Sequence, residues 1–203
     1  VLGSINAVAG KFAVEAGDIL GAVRRAGGVF AAASHGIKDY EGNLVSAEHK
    51  LRQFVALFTS VRATTRESAE TIATGLRTIF TRIQRVGTID QLRGLGIELA
   101  DSEGKFVGVF RAVEALSKGL KGLDPRDYRF NQIIEQLGGF RQVGKVIPLI
   151  LQFEQAQKAL KVATEGTGSI AKDAMTAQQA LAVQIANVRE EFVALIRDFS
   201  NTS

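Results

Sequence analysis

In stretch after stretch of this 203-residue chain, apolar side chains recur three and four residues apart, and glycines mark the breaks. That spacing gathers apolar residues on one stripe of an α-helix, whereas a strand would scatter them over both faces. The pattern is sharpest at the end, where Leu181, Ile185, Val188, Phe192, Leu195 and Phe199 alternate four and three apart. This is a heptad seam of about two and a half repeats. An earlier seam, Ile72, Leu76, Ile79 and Ile83 with Phe80 beside it, has the same spacing and marks a packing helix. Twenty-one glycines against two prolines supply helix stops with few helix breakers. The expected fold class is all-α: a multi-helix bundle with a long C-terminal helix.

Capping chemistry places the other elements. Ser4 to Val14 can form a first helix. Asp18 can cap a second, which carries Ile19, Val23, Ala26 and Phe30 to a stop at Gly36. Gly17, Gly21 and the Gly27-Gly28 pair would let another helix approach closely. The same small residues suit a membrane interface, but Arg24 and Arg25 in the middle argue against one. A third helix is expected from Asn43 to about Val61, with Leu51, Phe54, Val55, Phe58 and Val61 on one face. Thr64 and Glu67 have capping-box spacing for a fourth helix, which would run to about Arg85.

Beyond Arg85 the period changes. Thr88 can cap a short turn through Leu92, and residues 96–107 then alternate around the turn-forming run Asp101-Ser102-Glu103-Gly104. This predicts one small β-hairpin. The acidic turn lacks the ligand series of an EF-hand, which ends in glutamate, and reads as a polar turn. Phe110 to Leu120 is helical, and Asp124-Pro125 can start a helix that stops at Gly138-Gly139. Phe140 to Ala163 continues with a kink or boundary at Pro148. After a loop from Glu165 to Gly168, Ser169 caps the final helix. The final seam suits packing on its own domain and an oligomeric coiled coil equally. The expected organisation is a Gly/Ala-rich helical segment (1–36), a helical core with the hairpin (37–164), and a linker with a long amphipathic helix (165–203).

Reactive chemistry is sparse. There is no cysteine, so disulfides and thiolate metal sites are excluded, and His35 and His49 are the only histidines. No phosphate-cradling loop and no nucleophile elbow occurs. Glu190 and Glu191 are adjacent on a helix and point apart, and Glu67 and Glu70 suit a helix N-terminus. No catalytic residue, cofactor or metal site is expected, and the chain reads as non-enzymatic. A net charge of +4 with interleaved acids describes a mixed, solvated surface. Arg82 and Arg85, with Arg77 nearby, are candidate nucleic-acid contacts, although the polar face of an ordinary helix explains them equally well. No apolar run reaches the ~20 residues of a membrane span. The chain begins at Val1 without an initiator methionine and is expected to be an internal piece of a longer protein.

Four segments in fixed order carry a family resemblance. They are ESAETIATGLRTIFTRIQR (Glu67 to Arg85), LGIELADSEGKFVG (Leu95 to Gly108), IIEQLGGFRQVGKVIPLILQFEQAQKAL (Ile133 to Leu160) and GSIAKDAMTAQQALAVQIANVREEFVALIR (Gly168 to Arg197). GDILGAVRRAGGVF (Gly17 to Phe30) fits the helical segment that precedes them. Together they resemble the core region of tail tape measure proteins of long-tailed bacteriophages. The chain departs from that family in scale, since full tape measures are several times longer.

The resemblance implies a structural virion protein that fills the tail-tube lumen, sets tail length during assembly and leaves ahead of the DNA at genome ejection. It implies assembly in the host bacterial cytoplasm as a homo-oligomer of a few copies. The implied partners are the tail tube protein, tail assembly chaperones and tail-tip proteins, with transient contact to DNA or host membrane. An alternative is a membrane-active helical domain, with residues 1–36 and 140–160 inserting to form a channel for phage DNA entry. A generic helical scaffold or signalling module is a third reading.

Overall fold

The computed structural model describes residues 2–39, 41–65, 67–165 and 175–201. Among them are ten α-helices: α1 (Leu2–Phe12), α2 (Ala16–Ala33), α3 (Ala47–Thr64), α4 (Ala69–Ile83), α5 (Val86–Gly94), α6 (Val109–Leu120), α7 (Tyr128–Leu137), α8 (Val143–Leu151), α9 (Phe153–Glu165) and α10 (Met175–Asn201). A single 3-10 turn, Phe140–Gln142, leads into α8. The all-α expectation holds.

The centre of the bundle is α3. Every residue from Phe54 to Val61 is buried, so this helix is enclosed on all sides. The spacing of Leu51, Phe54, Val55, Phe58 and Val61 predicts only one covered face. Ala56, Thr59 and Ser60 are covered as well, because α1, α2, α4, α8, α9 and α10 all pack against this helix. Ser60 tolerates this by donating its hydroxyl to the Leu57 carbonyl at 2.9 Å.

Three rings lock α2, α3 and α4 together. Phe30, Phe54 and Phe80 are fully enclosed and meet edge-on, with centroids 5.5 to 6.4 Å apart. Each such pair adds about 0.5–1.5 kcal/mol beyond area burial. The α4 seam behaves as its spacing predicts: Ile72, Leu76, Ile79 and Ile83 are all completely buried. Buried residues of α1 and α2 join the same core as those of α3 to α9.

Several helix starts differ from the capping expectation. The α4 cap is Ser68, whose hydroxyl accepts from the Thr71 amide at 3.2 Å. Thr64 is the last residue of α3 and donates back to the Ser60 carbonyl, and Glu67 sits 2.7 Å from Lys145 Nζ of α8. Tertiary pairing thus takes Glu67 away from the box. Asp18 lies in the first turn of α2 and pairs with Arg62 of α3 at 3.2 Å. Ser46 caps α3 and Asp127 caps α7, each later than the position expected from sequence. Thr88 is buried inside α5. Pro148 lies inside α8, which ends at Leu151 before α9 restarts at Phe153. The missing proline amide removes the helical bond to the Gly144 carbonyl, and α8 ends three residues beyond the proline.

The expected β-hairpin near residues 96–107 is corrected to a single antiparallel bridge between Ala100 and Phe106, and no strand forms among the described residues. Its arms are too short for a ladder. Gly96 and Gly108 both take positive φ, and α5 and α6 lie immediately outside them. The capping role expected for Ser169 lies outside the described residues.

Candidate functional site

Two turns share one design, and Asp39 of one of them lines a cavity together with residues 107–111, which follow the other. In the turn at residues 101–105, Asp101 Oδ1 accepts from the amides of Glu103 and Lys105, both at 2.9 Å. The Asp101 amide reaches the Lys105 carbonyl at 2.8 Å, and Gly104 supplies the positive φ that closes the loop. Residues 39–43 repeat this arrangement. Asp39 Oδ1 accepts from the amides of Glu41 and Asn43 at 2.9 Å each, the Asp39 amide reaches Asn43 O at 2.8 Å, and Lys38 bridges Leu44. The two sequences share the pattern Asp-x-Glu-Gly from the third residue of matching apolar frames, IKDYEGNLV and LADSEGKFV. That repeat is the signal that would have revealed the first turn from sequence. The amides of Asn43 and Glu41 hold the Asp39 carboxyl below its usual range, against a smaller opposing effect of burial.

The turns lean together, since a methyl group at Gly108 would stand 3.0 Å from Ile37. Between residues 37–45 and residues 107–111 is a cavity of about 200 Å³, closed by His49 and Lys50 of α3, Phe110 and Arg111 of α6, and Leu160 of α9. Its walls are largely apolar. Lys50 is only 4% exposed. Burial alone pushes its ammonium pKa down. Burial and then the Arg52 charge also lower His49, with Asp39 opposing them. Spacing carries a signal for Lys50 too: it precedes Phe54 by four residues and Leu57 by seven, on the apolar side of α3.

A second feature is the exposed face of α4. Arg77 and Arg85 are exposed and Arg82 is half-buried, and the three line a shallow groove with Thr74, Thr78 and Thr81. Each threonine hydroxyl donates to the carbonyl four residues back, at 2.8 to 3.2 Å, which leaves its oxygen facing outward as an acceptor. Arg82 Nη1 donates to the Glu135 carbonyl at 3.3 Å, at the C-terminal end of α7. The groove continues past Arg85 to Thr88, Gln91 and Gln136, and none of the described residues lining it is acidic. The structure therefore brings Arg82 and Arg85 together on one surface.

The C-terminal seam divides. Ile185, Val188 and Phe192 are buried, with Phe192 over Gly27 of α2. A methyl group at Gly27 would lie 3.2 Å from the Phe192 ring, a contact tight enough that the ring would have to give by a few tenths of an ångström. Gly28 faces Leu195, whereas Gly17 and Gly21 have open space around them. Leu195 and Phe199 each keep 37% of their surface exposed. The side chain of Leu181 lies outside the described ones. Arg189 ties α10 to α3 through the Glu48 carboxylate, and that hydrogen bond holds the Glu48 pKa down. Ile185, Val188 and Phe192 thus make an intramolecular contact in the middle of the seam, and Leu195 and Phe199 beyond them stay partly exposed.

Among the described residues, no cluster of three or more histidines and carboxylates could hold a metal ion. No described helix is long and apolar enough to cross a membrane. Residues 1–139 match a family model described as phage-related minor tail protein. No solved structure matches the chain.

Proposed function

Since this chain belongs to the phage-related minor tail protein family, we propose that it is the core block of a tail tape measure, which sets tail length during assembly and leaves ahead of the DNA at ejection. The coarser role, a structural component of the phage tail, follows from the family itself. Family membership points to a non-enzymatic part and to contacts with other tail components. The finer reading is supported by the ordered segments Glu67 to Arg85, Leu95 to Gly108 and Ile133 to Leu160, whose helices and turn all belong to one bundle. The proposed place is the tube lumen. The proposed neighbours are the tube protein, assembly chaperones and tail-tip proteins, with assembly in the host cytoplasm.

Tail length is the test. An in-frame duplication of residues 175–201 in the complete gene adds a helix of 27 residues. At about 1.5 Å per residue this lengthens the ruler by about 40 Å. Electron micrographs should show a longer mean tail, and unchanged length in viable particles sinks the ruler. Arg82 and Arg85 are proposed as transient phosphate contacts for the passing DNA. Their joint change to glutamine should weaken DNA binding and flatten its salt dependence.

The membrane-channel reading has less to support it. Ile5, Val8 and Phe30 in residues 1–36, and Val146, Leu149 and Ile150 in residues 140–160, are spent on the bundle core. Dye leakage from liposomes on adding the folded protein would revive that reading.

A further inference from the structure

Among the described residues Lys50 and Lys145 are buried lysines, and Lys145 has its ion pair with Glu67 whereas Lys50 has none. It stands in the wall of the cavity beside the Asp39 turn, 4% exposed. Among the described residues its ammonium has no hydrogen bond or ion pair, and no carboxylate offsets the depression of its pKa by burial. The carboxylates at the cavity are engaged elsewhere. Asp39 holds the amides of its own turn, and Glu114 takes Lys118 Nζ at 2.8 Å. An uncompensated buried charge is costly, and a carboxylate brought in from outside would offset that cost where a neutral ligand would not.

We propose that this cavity binds a small apolar monocarboxylate, its carboxylate on the Lys50 ammonium and its hydrocarbon against Ile37, Val45, Val107, Phe110 and Leu160. At about 200 Å³ the space is far larger than one water needs and smaller than the ~300 Å³ lower end of drug-sized sites, so the ligand is small. The wall offers one deeply buried cation amid apolar surface. A dianion such as a phosphate monoester would lack a second, equally desolvated partner, and a monocarboxylate matches the charge available.

The test titrates octanoate into the intact 203-residue chain, with backbone amide NMR shifts of residues 37–53 and 107–114 as the readout. Acetyl-valyl-leucine forms a second arm, which separates a free acyl acid from a peptide C-terminus as the source of the carboxylate. Saturable shifts are expected in at least one arm. Lys50→Met should weaken that binding tenfold or more while leaving octanol binding unweakened. Equal binding of the acid to the wild type and to Lys50→Met overturns the proposal, as does the absence of saturable shifts in both arms. If Lys50→Met does not fold, Leu160→Trp fills the cavity and spares the ammonium. Loss of acid binding in that variant supports the site, and full retention overturns it.

Discussion

Helices α3 and α10 carry the same kind of apolar spacing and meet opposite fates. The first is enclosed by the bundle from Phe54 to Val61, and the second lies on the outside, holding on by Ile185, Val188 and Phe192. The difference teaches that a three-four repeat fixes which face of a helix is apolar, while the number of covered faces depends on what else the chain supplies. Around α3 the chain supplies helices on both sides. Around α10 it supplies one glycine-lined seat on α2 and part of α3.

The largest way to test this contrast is Phe54→Ala, which opens the three-ring cluster at the middle of the bundle. It should cost about 3–5 kcal/mol in denaturant unfolding. A cost under 1 kcal/mol would mean that α3 is less central than it looks. Gly27→Val comes next, because it pushes a side chain into the Phe192 ring. Overpacking of this kind costs about 1–3 kcal/mol. It should release α10 to protease while the rest of the bundle stays protected; cleavage spread evenly over the chain would contradict a peripheral α10.

A smaller effect is expected at the exposed end of the seam. Leu195→Ser with Phe199→Ser should change monomer stability by about 0.5 kcal/mol or less. If a second copy covers these residues, sedimentation will show self-association in the wild type and its loss in the variant. A wild type that stays monomeric at high concentration assigns the seam to the chain itself. The smallest effect is at the pair tying the two helices together. Arg189 lowers the Glu48 pKa in the folded state, so the pair's contribution is present above the usual carboxylate range and is lost as pH falls through the lowered value. Both partners are more than a third exposed, so the contribution at neutral pH is under about 1 kcal/mol. Arg189→Gln should therefore be slightly less stable than wild type at pH 7, with the gap closing in acid.

Much of the fold could be read in the sequence wherever local periodicity and burial coincide. The α4 seam is the clearest case, with all four residues fully enclosed. Helix starts were harder, because Ser, Thr and Asp compete for caps and tertiary partners decide among them: Glu67 goes to Lys145 and Asp18 to Arg62. The hairpin was overread because alternation over a few residues does not reveal that a helix begins at Val109 and leaves no room for a ladder. That Arg82 and Arg85 share one surface is legible from their spacing alone. Lys50 was passed over because a charged residue between His49 and Leu51 looks solvated, and only its register with Phe54 and Leu57 marks it as inward-facing. The Asp39 turn was missed although its sequence echoes the turn at Asp101.

The cluster of Phe30, Phe54 and Phe80 also bears on the order of events as the chain folds. The rings come from three consecutive helices, with Phe54 following Phe30 by 24 residues and Phe80 following Phe54 by 26. Contacts that local close only short loops and form early, whereas the pairing of α1 with α9 must bridge almost the whole bundle. A nascent chain would thus hold its centre once α4 has been made, and its first helix, which meets α2 and α3 early, would wait for the ninth to complete its most extensive contact. For the folding chain, the vulnerable interval is that wait. Substitutions at the α1–α9 contact should then speed unfolding while leaving the folding rate nearly unchanged.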